Sequence, residues 1–318
     1  MLQRAEPAEA AEGGGVEDGE AARRRFLARA EEIRPRLHRF CARMCGSPLD
    51  GEDVVQETLA LAHDRLHTLA DEMRMEAWLF RIAHHRCVDF LRRERRRRER
   101  TVPFTDAHDR ADDYAGVLPA GAPVDEALAT LVRALPPKER ASVLLKDVLD
   151  YRLGEIAEIV GSTVGGVKAA LHRARGKLRR VPAAAGDPPS AFVLGEGERR
   201  LFEAYAACFN RRDWEALGRL IRRDARLEVV GQAEGTMGDV GLNYTGNYLA
   251  LPWEWRFSAA IIAGETVILQ WRRGPDGFVP VTAARLWWDD GRVVRIRDYV
   301  HVDYLLRETP IAALAPVP

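Results

Sequence analysis

The spacing of apolar residues changes once along this chain, and that change limits what the chain can fold into. From Phe26 to Leu178 apolar residues recur every three or four positions, which predicts amphipathic helices. After the Pro- and Gly-rich stretch 182–189, two helical runs give way to alternating segments separated by turn signals. The sequence therefore predicts a multidomain protein, with an all-α part followed by an α+β domain that carries an antiparallel sheet.

Shifts in composition divide the chain further. We predict a disordered acidic tail over 1–22, a helical domain over 23–100, an acidic linker over 101–125 and a helix-turn-helix domain over 126–181. A second linker (182–196), the α+β domain (197–309) and a short tail (310–318) complete the chain. Helices are expected over about 76–98, 199–209 and 214–222, and a helix break at 46–48. Strands are expected over 227–230, 257–263, 267–271, 279–286 and 293–298.

Positive charge is concentrated in two blocks, although the 318-residue chain carries 48 basic and 48 acidic side chains in total. Residues 23–100 hold 19 basic and 13 acidic side chains, and residues 136–181 hold 10 and 5. The segments around them are acidic or nearly neutral. Because binding to nucleic acid depends on the local field, the zero net charge does not exclude a DNA partner.

The four cysteines do not indicate a disulfide scaffold in so long a chain, and no stretch approaches the roughly 20 apolar residues of a membrane span. The acidic N-terminus lacks the features of a signal peptide. We therefore expect a soluble cytoplasmic protein without a membrane partner. His38, Cys41 and Cys45 share one helical face, but a fourth ligand is not evident and free cysteines are commonly buried, so we predict no metal and no cofactor.

The second basic block has the spacing of a helix-turn-helix. Gly161 supplies the turn, and Ser162 or Thr163 can cap the helix that follows. Gly165 and Gly166 lower helix propensity, so we expect this helix to start loosely and to become ordered on DNA. Its apolar face holds Val167, Leu171, Ala174 and Leu178, and its cationic face holds Lys168, His172, Arg175 and Arg179. Such a helix fits the major groove of DNA, and the alternative is a solvated cationic face.

The first basic block sets aromatic residues among cations. The helix through Trp78 exposes Arg81, His85 and Arg92 on one side. Aromatic rings can stack unpaired bases while cations hold the strand, so this helix is a candidate for binding single-stranded DNA. The alternative is that Trp78 packs in the core.

Four segments of these blocks resemble the signatures of extracytoplasmic-function (ECF) sigma factors, and the match spans roughly residues 26–181. They are, in order, DGEDVVQET at 50–58, AWLFRIAHHRCVDFLRR at 77–93, LPPKER at 135–140 and GEIAEIVGSTVGGVKAALHRAR at 154–175. The resemblance implies sigma regions 2 and 4, with the helix-turn-helix in region 4. It departs from the family at His85, where Asn is common, and at Gly166, where Thr is frequent.

The resemblance also implies three sets of site residues. The polymerase-binding set is Asp50, Asp53, Val54, Gln56, Glu57 and Thr58. The set for the −10 promoter element is Arg74, Trp78, Arg81, His84, His85, Arg86, Asp89, Arg92 and Arg93. The set for the −35 element is Ser162, Thr163, Gly165, Lys168, His172, Arg173, Arg175 and Arg179.

Residues 197–308 begin with a helical run over 201–217 and continue into strands that end in DGRVVRI at 290–296. On these segments they resemble the SnoaL-like cone, a curved sheet wrapped by helices. Related folds place an acid or a base inside the cone, so Tyr244, Asp298, His301 and Asp303 are a candidate ligand pocket. No complete catalytic motif is visible, and we predict a structural or regulatory domain and no enzyme activity.

These observations predict a sigma factor that directs core RNA polymerase to −10/−35 promoters, with its activity modulated by the C-terminal domain. The expected partners are core RNA polymerase, promoter DNA and an intramolecular contact between the cone and the sigma domains. A small ligand or an anti-sigma factor stays open as a further partner. The alternatives are a helix-turn-helix regulator that does not bind polymerase, and a cone-domain enzyme fused to a DNA-binding region.

Overall fold

The computed structural model describes residues 13–69, 71–101, 134–180, 195–307, 309 and 311–313. Most of the predicted linkers 101–125 and 182–196, and of the tail 310–318, lies outside the described residues. We use two names below: the helical part is 13–180, and the cone domain is 195–313.

Three long helices begin the helical part. They are α1 (Gly13–Cys45), α2 (Pro48–Asp64) and α3 (Met75–Thr101), with short 3-10 turns at Leu66–Thr68 and Glu72–Arg74. The predicted break between α1 and α2 is confirmed, because the Ser47 hydroxyl accepts the Asp50 backbone N–H at 3.3 Å and caps α2.

The prediction of a disordered tail over 1–22 is wrong for residues 13–22, which are helical. The physical reason is helix propagation. Once the segment from Phe26 onward is fixed by its buried face, each added residue upstream forms a hydrogen bond without the cost of a new nucleus. Residues 1–12 lie outside the described part.

A second helical group packs on the first. It consists of α4 (Pro137–Val143), a π-helical turn (Leu144–Val148), α5 (Leu153–Ile159) and α6 (Val164–Leu178). Gly161 has φ +60° between α5 and α6, as the predicted helix-turn-helix requires. One apolar core contains side chains of both groups, so the two predicted helical domains form one packed body.

Polar contacts join the two helical groups at their boundary. The buried Arg140 guanidinium donates to the backbone oxygens of Met44 and Leu135. Tyr151 Oη donates to Glu76 Oε1 at 2.7 Å. Because Met44 belongs to α1 and Glu76 to α3, the second group is fixed to two helices of the first.

The described residues of the cone domain form three helices and seven strands. The helices are α7 (Glu196–Arg211), α8 (Trp214–Leu220) and α9 (Met237–Leu249). The strands are β1 (Ile221–Val229), β2 (Ala233–Thr236), β3 (Trp255–Ile262), β4 (Glu265–Gly274), β5 (Gly277–Asp289), β6 (Arg292–Asp298) and β7 (Ala312–Ala313). Their order in the sheet is β2-β1-β6-β5-β4-β3-β7.

The predicted α+β class and antiparallel meander are confirmed, and one strand pair outside the meander turns is parallel. β1 and β6 run parallel, with Leu227 opposite Ile296. The meander β3 to β6 reverses direction at each turn, and its last strand returns beside β1 in the same direction. The sequence analysis also missed α9, β2 and β7. α9 is rich in Gly and Asn, and the two strands have four and two residues, so neither produces a clear periodic signal.

Both faces of the sheet are covered. On one face, Phe209 of α7 contacts six other rings, namely Tyr205, Trp214, Tyr244, Tyr248, Trp255 and Phe257. On the other face, an apolar cluster of the cone domain includes Leu49 of α2, which is fully buried. The helical part therefore supplies a side chain to the second core of the cone domain.

Candidate functional site

The first turns of α2 carry the predicted polymerase-binding carboxylates, and the cone domain contacts them directly. Arg285 of β5 donates from Nη2 to Asp50 Oδ1 at 2.6 Å and from Nη1 to Asp53 Oδ2 at 3.0 Å. The same guanidinium binds Glu265 of β4 at 2.6 Å. The side chain of Arg285 is 8% exposed, so these charge-assisted bonds are shielded from water.

Asp53 is the most enclosed of these carboxylates. Arg297 Nη2 lies 3.0 Å from its Oδ1, and Tyr299 Oη donates to the same oxygen at 2.9 Å. Burial raises the pKa of Asp53 to about 6, and the nearby Arg285 and Arg297 oppose this effect. Three cone side chains thus replace the water that an exposed α2 would bind.

Glu52 is a site residue that the sequence analysis missed. It is fully buried and accepts hydrogen bonds from Arg34 Nη2 at 2.8 Å, Gln56 Nε2 at 2.8 Å and Tyr304 Oη at 2.9 Å. Gln56, predicted to face polymerase, is therefore bound to its own helix. Tyr299 and Tyr304 are the two tyrosine donors to the α2 acids, and both follow β6, where no motif indicated them.

Arg285 was also missed, although the sequence contains a signal for it. It is the only charged residue within the apolar stretch 278–288, and a charge inside a strand is rare unless it is paired. The sequence does not indicate that Asp53 is a partner of Arg285, because the two residues are 232 positions apart.

Two members of the predicted polymerase-binding set do not present their side chains. Val54 and Thr58 point into the core of the helical part and are buried, because they occupy its apolar stripe on α2. Glu57 is exposed, and its Oε2 lies 3.6 Å from Arg93 Nη2 of α3. The prediction is corrected for the two core residues and stays a prediction for the acids.

The predicted −10 set divides in the same way. Trp78 and His84 are buried in the helical part, at 9% and 7% exposure, so neither offers its ring to a base in this structure. The core-packing alternative therefore describes Trp78. Burial lowers the pKa of His84 to about 4, with a further contribution from His85 and Lys138.

The remaining −10 residues form a cationic surface. Asp89 lies within 3.9 Å of both Arg86 and Arg92, and Arg86 and Asp89 are only half-buried. Arg74 pairs with Glu158 of α5. The exposed members are Arg74, Arg81, His85, Arg92 and Arg93.

The recognition helix α6 begins regularly, contrary to the expected loose start. Thr163 Oγ1 accepts the Gly166 N–H at 3.0 Å and caps the helix. A Cβ at position 166 would lie 2.5 Å from Ser162 Oγ, so the glycine that lowers helix propensity also leaves room for the Ser162 hydroxyl. Val167, Leu171 and Ala174 are buried as predicted.

The outward face of α6 borders an open groove of about 820 Å³. Its lining residues are Lys146, Leu153, Lys168, Leu171, His172, Arg175, Leu178 and Arg179. Arg175 also pairs with Asp147 at 2.6 Å. Arg173 does not line the groove. Its Nε lies 2.9 Å from Oε1 of the buried Glu139, so Arg173 is the member of the −35 set that pairs with a buried acid of the helical part.

The predicted pocket of four residues does not form. Tyr244 Oη donates to Asp298 Oδ2 at 2.9 Å, and both side chains are buried. Tyr248 donates to the same oxygen, and the Val300 backbone N–H binds Oδ1 at 2.9 Å. Burial raises the pKa of Asp298.

His301 and Asp303 lie outside this cluster, which corrects the prediction. Both are exposed, and Asp303 pairs with Arg307 at 3.0 Å. The chain leaves strand geometry after Asp298, so the alternation that would place residues 301 and 303 inside the cone ends before them.

The helical face that holds His38, Cys41 and Cys45 packs in the core. His38 Nε2 lies 2.9 Å from the Pro48 oxygen, and Cys45 Sγ lies 4.0 Å from Cys87 Sγ. Across the described residues, no group of three His, Cys, Asp or Glu side chains is arranged to hold a metal ion. Within the same part of the chain, no helix has both the length and the apolar character of a membrane span.

Comparisons with known proteins identify the family of this chain. The family models for Sigma-70 region 2 and Sigma-70 region 4 match residues 30–97 and 125–178. The ECF RNA polymerase sigma factor SigG of Mycobacterium tuberculosis is 30% identical over 295 residues, which cover 85% of this chain and 80% of that protein.

Two solved structures are similar in fold. The ECF sigma factor SigJ of Mycobacterium tuberculosis is 19% identical, with a TM-score of 0.35, over 86% of this chain and 95% of that one. The sigma factor RpoE, solved with the anti-sigma factor NepR from Bartonella quintana, is 20% identical, with a TM-score of 0.41, over 51% of this chain and 98% of that one. By its identity to SigG over most of both sequences, and by its two sigma-70 regions, this chain belongs to the ECF RNA polymerase sigma factors, which direct core polymerase to promoters.

Proposed function

We propose that the cone domain holds this sigma factor inactive by covering the polymerase-binding face of α2. The carrying observation is that Asp50 and Asp53, predicted to bind polymerase, are bound by Arg285, Arg297 and Tyr299 of the cone domain. A carboxylate that is enclosed by these donors cannot also accept cations from polymerase. Activation then requires release of the cone domain.

An apolar contact extends the interface between the cone domain and α2 beyond the ion pairs. Leu49 precedes the acidic turn of α2 and is buried among cone side chains, which include Val302 and Leu305. Burying a leucine contributes about 1.5–3 kcal/mol, and the shielded ion pairs add specificity for this one docking position. Core polymerase, a small ligand or an anti-sigma factor would shift the equilibrium by binding only one of the two states.

We propose no reaction for the cone domain. In related cone enzymes an acid or a base must reach a substrate, whereas here Asp298 is enclosed by two tyrosines and a backbone N–H. The ring cluster around Phe209 fills the same interior.

The cytoplasmic location stays a prediction.

The test is run-off transcription with purified core polymerase. We expect the full chain to give few promoter-dependent transcripts. Arg285→Ala should give several-fold more, because it removes the guanidinium that binds Asp50 and one of the three cone groups that bind Asp53. Arg226→Ala is the matched control, since Arg226 is an exposed cone arginine paired only with Glu234 among the described contacts. A chain ending at residue 181 is expected to behave as Arg285→Ala does.

The double variant Asp53→Ala, Glu57→Ala separates masking from binding. We expect it to lose both transcription and association with core polymerase, with or without the cone domain. If Arg285→Ala and the truncation bind core polymerase no better than the full chain, the masking proposal is wrong. Thermal unfolding of each variant shows that it is folded.

A further inference from the structure

Four arginines and three aromatic rings meet at one end of the cone domain. The arginines come from the end of α7, the start of β3 and the end of β4, and the rings come from β3, β5 and the loop before β3. We call this set the arginine–aromatic patch: Arg212, Arg256, Arg272, Arg273, Trp253, Trp255 and Phe278. These residues belong neither to the contact between the cone domain and α2 nor to the segments that resemble sigma signatures.

Each guanidinium of the patch lies over a ring. Arg212 Cζ is 3.5 Å from the centroid of the Trp255 ring, and Arg272 Cζ is 5.7 Å from that of Trp253. Arg273 and Arg256 lie 5.3 and 5.9 Å from the centroid of Phe278. Stacking fixes the plane of a guanidinium and leaves its edge N–H groups available to an acceptor.

The positive charge of the patch is not balanced by the described acids around it. Glu254 pairs with Arg256 at 3.2 Å, and the carboxylate of Asp213 instead caps α8 by accepting the Ala216 N–H. Burial lowers the pKa of Arg212, and the like charge of Arg256 lowers it further. Like charges held together in this way favour an anionic partner.

The backbone at Arg212 adds a second observation. This residue closes α7 in the left-handed conformation, with φ 59° and ψ 30°, which costs a non-glycine residue about 1 kcal/mol or more. Its Nη1 also binds the Phe209 oxygen at 2.8 Å. The side chain is thus held over Trp255 at a cost that Gly or Asn at this position would avoid.

Exposed apolar surface lies beside the charges. Trp253 is 40% exposed and Val279 is 45% exposed, and both border Arg272, which pairs with Val279 across β4 and β5. A solvent-facing indole next to fixed guanidinium groups is suited to stack a base while the arginines bind the flanking phosphates. An acidic polypeptide would satisfy the arginines but would leave the indole exposed.

We propose that the arginine–aromatic patch binds single-stranded DNA that passes around the end of β4. An unpaired base stacks on Trp253 and a phosphate binds Arg272 on one face of the sheet, and a second phosphate binds Arg273 beside Phe278 on the other face. The proposal rests on the sigma-factor function, because promoter opening is what brings a single strand near this chain. It gives the cone domain a second role, which is to hold DNA once α2 is engaged by polymerase.

The experiment measures binding of the full chain to a fluorescent single-stranded oligonucleotide of mixed sequence, by anisotropy at several salt concentrations. Arg272→Glu, Arg273→Glu is compared with Arg219→Glu, Arg223→Glu, a matched control that makes the same charge change on exposed arginines elsewhere on the cone domain. We expect the patch variant to weaken binding at least tenfold more than the control. We also expect its salt dependence to fall by about 1.4 in log–log slope, which corresponds to two lost phosphate contacts.

Trp253→Ala tests the stacking without changing charge. We expect about tenfold weaker binding with an unchanged salt slope. A photo-crosslinking phenylalanine analogue at Val279 is expected to label the oligonucleotide, whereas the same analogue at Arg219 is not.

Three results would overturn the proposal: equal binding by the patch and control variants, an unaffected Trp253→Ala, or displacement of the oligonucleotide by polyglutamate at equal charge concentration. The last result would mean an acidic protein partner. Association of each variant with core polymerase is measured in parallel. If the proposed covering of α2 by the cone domain is wrong, the polymerase-binding measurement shows it, and the anisotropy comparison still tests DNA binding by the patch.

Discussion

His84 is held in a neutral form by its surroundings on α3. It is buried, and its pKa is lowered to about 4 from an ordinary value of 6.5. An imidazole whose pKa is lower in the folded state binds fewer protons there than in the unfolded chain. Protonation therefore favours unfolding, and stability is lost as the pH falls from about 6.5 toward 4.

We expect His84→Gln to reduce this pH dependence. The wild-type chain should lose up to about 3 kcal/mol more of its unfolding free energy than the variant between pH 7 and pH 4, at 1.36 kcal/mol per pKa unit. His85→Gln is the control, because His85 is the exposed neighbour on the same helix. Urea unfolding at each pH measures the difference, and equal slopes for wild type and His84→Gln would contradict the prediction.

Asp298 makes a second residue-scale prediction. It accepts three hydrogen bonds, from Tyr244, Tyr248 and the Val300 backbone. Asp298→Asn replaces one acceptor oxygen by an N–H group that faces other donors, and we expect a loss of about 1–3 kcal/mol of unfolding free energy. Asp303→Asn, an exposed neighbour, should change stability by less than about 0.5 kcal/mol. A cone domain that unfolds at the same urea concentration in both variants would show that the three bonds carry no net stability.

Among the elements, the α1–α2 pair depends on one close approach. A Cβ at Gly51 would lie 2.5 Å from both the Cα and the N of Ala42 in α1, so only glycine fits where the helices cross. This gives the glycine of the DGEDVVQET motif a packing role beside the acids that flank it.

We expect Gly51→Ala to destabilise the helical part by about 1–3 kcal/mol or more, because the contact is with backbone that cannot rotate away. Gly154→Ala is the matched control, since nothing lies within 4 Å of a Cβ at that helical position. The control should be neutral or slightly stabilising. Thermal unfolding distinguishes them, and equal melting temperatures would show that α1 and α2 can separate at no cost.

The elements also show how far sequence alone predicts this fold. Helices α1 to α3 and α6 and the longer strands follow from periodicity, because their apolar stripes face one large core. The family resemblance places Trp78 in the −10 set, whereas the residue pattern alone leaves core packing open, and the helix turns the ring inward. Arg285 and Tyr299 were missed because their partners lie on α2, and contacts between residues so distant in sequence leave no local pattern.

At the scale of the whole molecule, the contacts that hold the two helical groups together limit how far apart the two predicted DNA-binding surfaces can lie. Promoter elements centred at −10 and −35 are about 25 base pairs apart, or about 85 Å at about 3.4 Å per base pair. α3, which carries the predicted −10 residues, has 27 residues and spans about 40 Å. Because Arg140 and Tyr151 fix the second group to the first, we predict that the −10 and −35 surfaces engage a promoter together only after these contacts open.

We expect this opening to be visible by energy transfer between dyes at positions 27 and 154, which are exposed on α1 and α5. Transfer should be high in the free chain and should fall when core polymerase and promoter DNA are added together. Promoter DNA alone is the control and should leave transfer high. Transcription without a fall in transfer would contradict the prediction that the compact helical part must open.

The distance in sequence between Asp53 and Arg285 also orders events in time. Arg285 is made 232 residues after Asp53, which at roughly 5–20 residues per second takes about 10–50 s of synthesis. During that interval α2 has been synthesised, whereas the strand that carries Arg285 does not yet exist. In each newly made chain, α2 is therefore uncovered for a short time, and core polymerase can bind α2 before the cone domain of the same chain covers it.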